Sequence, residues 1–182
     1  IWIPPGRNEF KRMIENYTYW IQKYNIHVHL QQEITSDRIK EINPDTVLVA
    51  TGSTPIKPPI TGIERENVFW ANDVFSGDAP VGKNNVIIGG GATGIELAIY
   101  IANYGSLDLD SFNFLTLYKA LEPEVALKMM HEGRNKVTVL EQLPKLGSAL
   151  GKTTKWVLLD KCDYLGVKKL TSVKVTEIGK DY

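Results

Sequence analysis

Three glycines at a fixed spacing point more directly to chemistry than any other residues of this sequence. Gly89, Gly91 and Gly94 fit the spacing G-x-G-x-x-G, between an apolar strand-like run at 86–88 and an apolar helix-like run at 95–104. Gly89 would allow a tight turn, Gly91 would let a pyrophosphate approach the backbone, and Gly94 would let helix pack on strand. The N–H groups at the start of the helix would then face the phosphates. We therefore predict a dinucleotide-binding loop made of Gly89, Gly90, Gly91, Ala92, Thr93 and Gly94.

An acidic residue would supply the second half of such a site, by accepting hydrogen bonds from the adenine ribose at the end of the second strand. Glu141 closes the strand-like run 137–140 and is the natural candidate. It follows the last glycine of the loop by 47 residues (141 − 94), whereas an uninterrupted unit has roughly 20. We therefore interpret the helical segment 106–134 as an insertion. Asp108 and Asp110 lie nearer but end no strand-like run, and a solvated loop carboxylate is the alternative interpretation of Glu141.

Other residues with chemical potential are interpreted as structural. His27 and His29 alternate along a strand-like run without an obvious third ligand beyond His131, so we expect a polar strand face rather than a metal site. Cys162 falls on the apolar face of a helix and is expected to be a small core residue, not a nucleophile. A single cysteine cannot form a disulfide or hold an iron–sulfur cluster within these residues. No catalytic residue can be named from the sequence.

Composition excludes several classes of function. The chain has 182 residues, with 21 Lys and Arg against 21 Asp and Glu, and 43% of its residues are hydrophobic. This balance argues against a nucleic-acid-coating or membrane-surface protein, which would carry a basic excess. No apolar run reaches the roughly 18–20 residues that a membrane span needs. The first residues do not resemble a signal peptide, and we expect a reducing, cytoplasmic location without nucleic-acid or membrane partners.

The elements that must position these residues alternate between helical and strand periodicity. Helical spacing of apolar residues predicts helices at 10–24, 36–42, 70–75, 95–104 and 152–165, and two short helices separated at Pro123. Strand-like runs lie at 26–30, 46–50, 86–88, 137–140 and 167–178, the last expected to be a hairpin. The stretch 53–85 is rich in proline and glycine and is the expected connector between domains. The alternation predicts an α/β fold with a largely parallel sheet.

Three motifs occur in a recognisable order along the chain. They are the Pro-Gly-Arg-Asn-Glu-Phe segment at 5–10, the strand end Val-Ala-Thr-Gly at 49–52, and the glycine loop continued to Glu96. Their arrangement resembles the C-terminal nucleotide-binding part of the family of 2,4-dienoyl-CoA reductase, 2-enoate reductase and trimethylamine dehydrogenase. The segment 137–156, with the helical insertion before it, looks most like the enoate reductase branch. The resemblance extends over nearly the whole chain.

This resemblance implies a glutathione-reductase-like arrangement, in which an NAD(P)H domain interrupts an FAD domain. Residues 1–80 would then be part of an FAD-binding domain with a connector, and 81–182 an incomplete, Rossmann-like NAD(P)H-binding domain. The expected partner is an N-terminal barrel that carries FMN and usually a 4Fe-4S cluster, both outside these residues. Ala50, Thr51 and Gly52 would approach FAD. The glycine loop and Glu141 would hold NAD(H), with NADP(H) possible, and Glu96 would lie near the nicotinamide.

The activity implied by the resemblance is electron transfer from NAD(P)H through FAD toward reduction of an activated C=C bond. The chain looks like a truncated piece of such an enzyme, because it has one glycine-rich loop where two would be needed, and we expect it to be inactive alone. Two alternatives remain open. A methyltransferase could use the glycine loop for S-adenosylmethionine, although Gly94 and the upstream Ala-Thr-Gly argue against it. A folded, non-catalytic remnant that binds nothing is the other.

Overall fold

The computed structural model describes residues 3–4 and 6–180, so Pro5 of the first motif lies outside the described residues. The chain divides into two compact units. The smaller unit is Glu9–Lys57, and the larger unit combines Ile1–Asn8 with Pro58–Tyr182. The assignment of 1–80 to an FAD domain and 81–182 to an NAD(P)H domain stays a prediction.

The smaller unit contains two helices, both at predicted positions: α1 (Glu9–Lys23) and α2 (Ser36–Ile42). The hydroxyl oxygen of Thr35 accepts the N–H of Arg38 at 3.3 Å and caps the start of α2. Asn43 ends the helix in the left-handed region, with φ of 47°, directly before Pro44. Local signals therefore define α2 at both ends.

The prediction of two strands in the smaller unit is wrong. Segments 26–30 and 46–50 have no strand structure, and Leu48 and Val49 are 89% and 81% exposed. A strand needs a neighbour that satisfies its N–H and C=O groups and an apolar layer that covers its side chains. Residues 9–57 contain no strand that could serve as that neighbour. The sequence has the apolar pattern of strands, but the described residues of this unit supply no sheet for them to join.

The larger unit is built on a three-stranded parallel sheet of β1 (Asn84–Ile88), β2 (Lys136–Leu140) and β3 (Lys168–Leu170), in that order. Ile87 pairs with Val139 on β2, and Val139 pairs in turn with Lys169 on β3. The helices are α3 (Ala71–Ser76), α4 (Ala92–Ala102), α5 (Leu109–Leu117), α6 (Pro123–His131) and α7 (Lys152–Tyr164). The predicted α/β class with a parallel sheet is confirmed.

The start of α4 and the pairing of β3 differ from the sequence predictions. Helix α4 begins at Ala92, three residues before the predicted Ile95, so the end of the glycine loop forms its first turn. The hairpin predicted at 167–178 is wrong, because β3 pairs in parallel with β2 and Glu177 forms a parallel bridge with Thr61. A hairpin would pair residues 167–178 with one another, whereas β3 takes its backbone partner from β2.

The core of the larger unit lies where α4 packs on β1, β2 and α7. Ile95, Ile99, Val139 and Cys162 are its largest fully buried side chains. Cys162 is therefore a core residue, as predicted, and burial raises the pKa of its thiol to about 11. Among residues 3–4 and 6–180, no helix is long and apolar enough to cross a membrane.

We expect the Cys162 thiol to be unreactive in the folded chain. With its pKa raised to about 11, roughly one thiol in a thousand is ionised at pH 8, and the sulfur is shielded from reagent. Titration with a thiol-specific chromogenic reagent should give a slow reaction in buffer and one fast equivalent in denaturant. Rapid modification of the native chain would contradict the buried position.

Candidate dinucleotide-binding site

The turn from β1 into α4 is tight and leaves the start of the helix uncapped. Gly89 has φ of +106°, which favours glycine, and its N–H donates to the carbonyl of Leu140 at 2.8 Å. Helix α4 then starts after Gly91, and no side chain caps it. The first-turn N–H groups of an uncapped helix are free to bind an anion, and the helix dipole favours negative charge there.

The glycines of the loop have different surroundings. A Cβ on Gly94 would lie 1.9 Å from the carbonyl oxygen of Gly89, so the helix approaches the turn too closely for any side chain. A Cβ on Gly91 would meet no atom within 4 Å, so this position faces open space. A Cβ on Gly90 would lie 2.9 Å from Cγ of Leu146. The packing requirement at Gly90 is one that the spacing of the motif did not indicate.

Glu141 is buried against this loop. The residue is 8% exposed, its Oε2 accepts the N–H of Gly90 at 2.7 Å, and its Oε1 accepts the N–H of Leu143 at 2.8 Å. The alternative interpretation as a solvated loop carboxylate is therefore wrong. Each carboxylate oxygen retains a second acceptor position, so these two bonds leave capacity for a further donor. The role of Glu141 toward a ribose stays a prediction.

The segment that follows Glu141 packs onto the glycine loop. The N–H of Gly147 donates to the carbonyl of Gly90 at 2.7 Å, and Leu146 is buried beside that glycine. Gly147 has φ of +63°, a conformation that glycine adopts without strain. Leu146 and Gly147 thus bring the segment after β2 and the glycine loop together, a role that no sequence motif indicates.

Glu96 lies one turn into α4 and forms an ion pair with Arg7, from the N-terminal segment of the larger unit. Glu96 is a buried residue, as is Glu141. Arg7 belongs to the first sequence motif, but no local signal could have indicated its partner 89 positions away.

The other predicted site residues belong to the smaller unit. Ala50, Thr51 and Gly52 belong to the smaller unit, where they are exposed in a segment without regular structure. His27 and His29 are exposed in the same unit. Within the described part of the chain, no group of three or more His, Cys, Asp or Glu side chains is placed to hold a metal ion.

The parallel sheet, the glycine turn and the uncapped helix beside a buried acid define a Rossmann-like dinucleotide-binding unit. Comparison with known families identifies its group. A family model described as pyridine nucleotide-disulphide oxidoreductase matches residues 5–182, and the chain belongs to that family. Membership of this family favours the oxidoreductase interpretation over a methyltransferase.

Individual relatives are similar over much or all of the chain. A metal reductase of Desulforamulus reducens is 31% identical over 182 residues, covering 98% of this chain and 27% of the relative. A cinnamate reductase of Clostridium sporogenes is 30% identical over 103 residues, covering 57% of this chain and 15% of the relative. A solved complex of 2-naphthoyl-CoA reductase with 2-naphthoyl-CoA has a TM-score of 0.71 and 25% identity, covering 97% of this chain and 22% of that one. The chain thus spans about a quarter of the length of the relatives that it matches over most of its length.

We expect Gly94→Ala to destabilise the larger unit by about 1–3 kcal/mol, because the added Cβ would overlap a backbone carbonyl that cannot move freely. Gly91→Ala is the matched control within the same loop. It should cost less than about 1 kcal/mol, because its Cβ enters open space and only the helix cap is altered. Urea unfolding followed by circular dichroism measures both, and equal losses would contradict the packing role of Gly94.

Proposed function

We propose that this chain binds NAD(H) at the turn between β1 and α4. The observation that carries the proposal is the uncapped start of α4 with open space at Gly91, held beside the buried carboxylate of Glu141. A diphosphate fits the free N–H groups of the first turn, and the absence of a side chain at Gly91 lets it approach the backbone. Gly89 and Gly90 shape the turn, with their own N–H groups bonded to Leu140 and Glu141. Ala92, Thr93 and Gly94 belong to the first turn of α4 and supply the free N–H groups.

In the proposed complex, each group of the site has a distinct task. The first turn of α4 neutralises the diphosphate, and Glu141 accepts hydrogen bonds from the hydroxyls of the adenine ribose. Glu96, one turn further along α4, lies near the nicotinamide. The bound nucleotide supplies the hydride, so the protein's contribution is to bind, orient and exclude water. No catalytic acid or base is assigned to this chain.

We further propose that the whole protein passes electrons from NAD(P)H through FAD toward an activated C=C bond, as in the enoate and dienoyl-CoA reductases. Cinnamate is itself an enoate, so the name of the clostridial relative agrees with this substrate class. Ala50, Thr51 and Gly52 would approach FAD, and a barrel with FMN and a 4Fe-4S cluster would be the partner domain. A cytoplasmic location fits the single cysteine.

A Gly91→Val variant tests the nucleotide site. We expect it to abolish NADH binding in calorimetric titration, because the side chain fills space that the diphosphate needs. Gly82→Val is the matched control, since a Cβ there makes only an ordinary 3.7 Å contact and lies outside the loop. It should bind NADH as the parent does, and both variants should keep a thermal midpoint near that of the parent. Unchanged NADH affinity in Gly91→Val would overturn the proposed site.

Titration of the parent chain with S-adenosylmethionine, NADPH and FAD separates the alternative functions. Binding of S-adenosylmethionine in place of NADH would favour the methyltransferase, and binding of none of these ligands would favour the non-catalytic remnant. A ligand present at 100 times its dissociation constant should stabilise the chain by about 2.7 kcal/mol, so thermal unfolding with each ligand is an independent check.

We also expect NADH to bind about tenfold more tightly than NADPH, because the Glu141 carboxylate would repel a 2′-phosphate at the ribose. Three lysines could instead attract a 2′-phosphate and so oppose this preference. Lys145, Lys155 and Lys169 line a cavity of about 320 Å³ together with Leu146. Lys169 is already paired with Asp163, which reduces what it offers a phosphate. Titration of both nucleotides at one ionic strength measures the ratio.

The Glu141→Gln variant should narrow this preference, because it removes the charge while keeping one acceptor for the backbone N–H groups of Gly90 and Leu143. Lys145→Gln is the control for the opposing charge and should leave NADH affinity unchanged. Equal or tighter binding of NADPH by the parent chain would contradict Glu141 as the ribose ligand.

A further inference from the structure

The helical insertion between α4 and β2 has a fixed place on the larger unit. A Cβ on Gly133 would lie 1.9 Å from the carbonyl oxygen of Ala102, the last residue of α4, so the two backbones are in direct contact. The N–H of Arg134 donates to the carbonyl of Tyr104 at 2.9 Å. Helices α5 and α6 pack on each other, and Ala126 of α6 is fully buried. The surface of the insertion is therefore held rigidly at the end of α4.

Helix α5 is apolar on two opposite faces. Phe112 and Leu115 lie on its inner face and are half-buried. Phe114 and Leu117, with the C-cap residue Tyr118, lie on its outer face and are 60%, 77% and 68% exposed. The structure describes all nine residues of α5, and none of them is buried. A helix that is apolar all round is typical of one covered on both sides, so the outer face of α5 lacks a covering layer.

The outer face of α5 has the composition of an interface core. Phe114, Leu117 and Tyr118 follow the spacing i, i+3, i+4 of one helical face, and the rings of Phe114 and Tyr118 lie 4.8 Å apart between centroids. No charged residue occurs between Asp110, in the first turn, and Lys119, directly after the helix. Aromatic residues are enriched and charged residues depleted at the centre of protein–protein interfaces.

We infer that the outer face of α5 binds the same face of a second copy of this chain, with the two helices antiparallel about a two-fold axis near Phe114. In this arrangement Asp110 of each copy lies beside Lys119 of the other, so the face is complementary to itself. Neither side chain has an ion-pair partner within residues 3–4 and 6–180. The equal numbers of acidic and basic residues also let two copies approach without overall repulsion.

The area of the outer face sets the expected strength of this dimer. At their observed exposure, Phe114, Leu117 and Tyr118 present on the order of 400 Å² of surface. Two copies would bury about 800 Å² in this way, and the polar residues around the face bring the contact to the lower end of specific interfaces. We therefore expect a reversible dimer with a Kd on the order of 10 μM.

The dimer would leave the proposed nucleotide site free. The insertion follows the C-terminal end of α4, whereas the glycine loop precedes its N-terminal end. A helix of eleven residues separates the two places by about 16 Å. The inference is therefore independent of the proposed function, and the two can be tested separately.

The first test is sedimentation equilibrium of the full chain, at concentrations about tenfold below and tenfold above the expected Kd. We expect the mass to rise from that of one chain to that of two. Leu117→Lys should weaken the dimer about tenfold or more, because it places a charge at the centre of an apolar contact. Trp156→Lys is the matched control, since Trp156 is 65% exposed on α7, outside the insertion, and this variant should dimerise as the parent does.

The second test exchanges the two charges at the ends of the face. Asp110→Lys and Lys119→Asp should each weaken the dimer about threefold, because each places like charges side by side in the antiparallel arrangement. The double variant should regain the parent affinity. Lys119 has φ of 55°, a conformation that aspartate tolerates. Thermal midpoints establish that all variants are folded, and NADH titration of Leu117→Lys should match that of the parent.

A parent chain that stays monomeric at every concentration would overturn the inference and would mean that another part of a longer protein, or a different partner, covers α5. Equal dimerisation of the parent and Leu117→Lys would overturn it as well, because the contact would then lie on another face. A double charge variant weaker than both single variants would exclude the antiparallel pairing. Loss of NADH binding by the parent would contradict only the proposed function.

Discussion

The close approach of Gly94 to the carbonyl of Gly89 is the constraint on which the rest of the larger unit depends. Because no side chain separates them, α4 can pack directly on the turn that ends β1. That position places Ile95 and Ile99 against Val139 in the core. It also leaves the first turn of the helix uncapped at the edge of the sheet. Packing and the proposed binding geometry therefore arise from the same contact.

The carboxylate of Glu141 is the second interaction that fixes the glycine loop. By accepting the N–H groups of Gly90 and Leu143, it joins the glycine loop to the segment after β2 without leaving those donors unpaired. A buried charge is tolerated here because hydrogen bonds replace part of its lost hydration. The packing of Leu146 against Gly90 covers the loop. The acid thus has a structural role whether or not a nucleotide is present.

The errors of sequence interpretation share one physical cause. Segments 26–30 and 46–50 have the apolar patterns of strands, but a strand is stabilised by its neighbours in a sheet, and residues 9–57 offer none. The residues after 167 were expected to pair locally, yet β3 joins the exposed edge of β2. Helices α2 and α6 lie where the sequence predicts them, because residues at their own ends fix them: Thr35 and Asn43 cap α2, and Pro123 starts α6.

The amino-acid sequence by itself determined the glycine loop, the acid that closes β2 and most of the helices, because each depends on neighbours along the chain. Only the tertiary structure decided that Glu141 is buried on Gly90, that Arg7 pairs with Glu96, and which strand-like runs enter the sheet. The first two are contacts between residues 51 and 89 positions apart in the sequence, and the third depends on the presence of a partner strand. Local propensity carries no information about such contacts, which are fixed when the elements pack together.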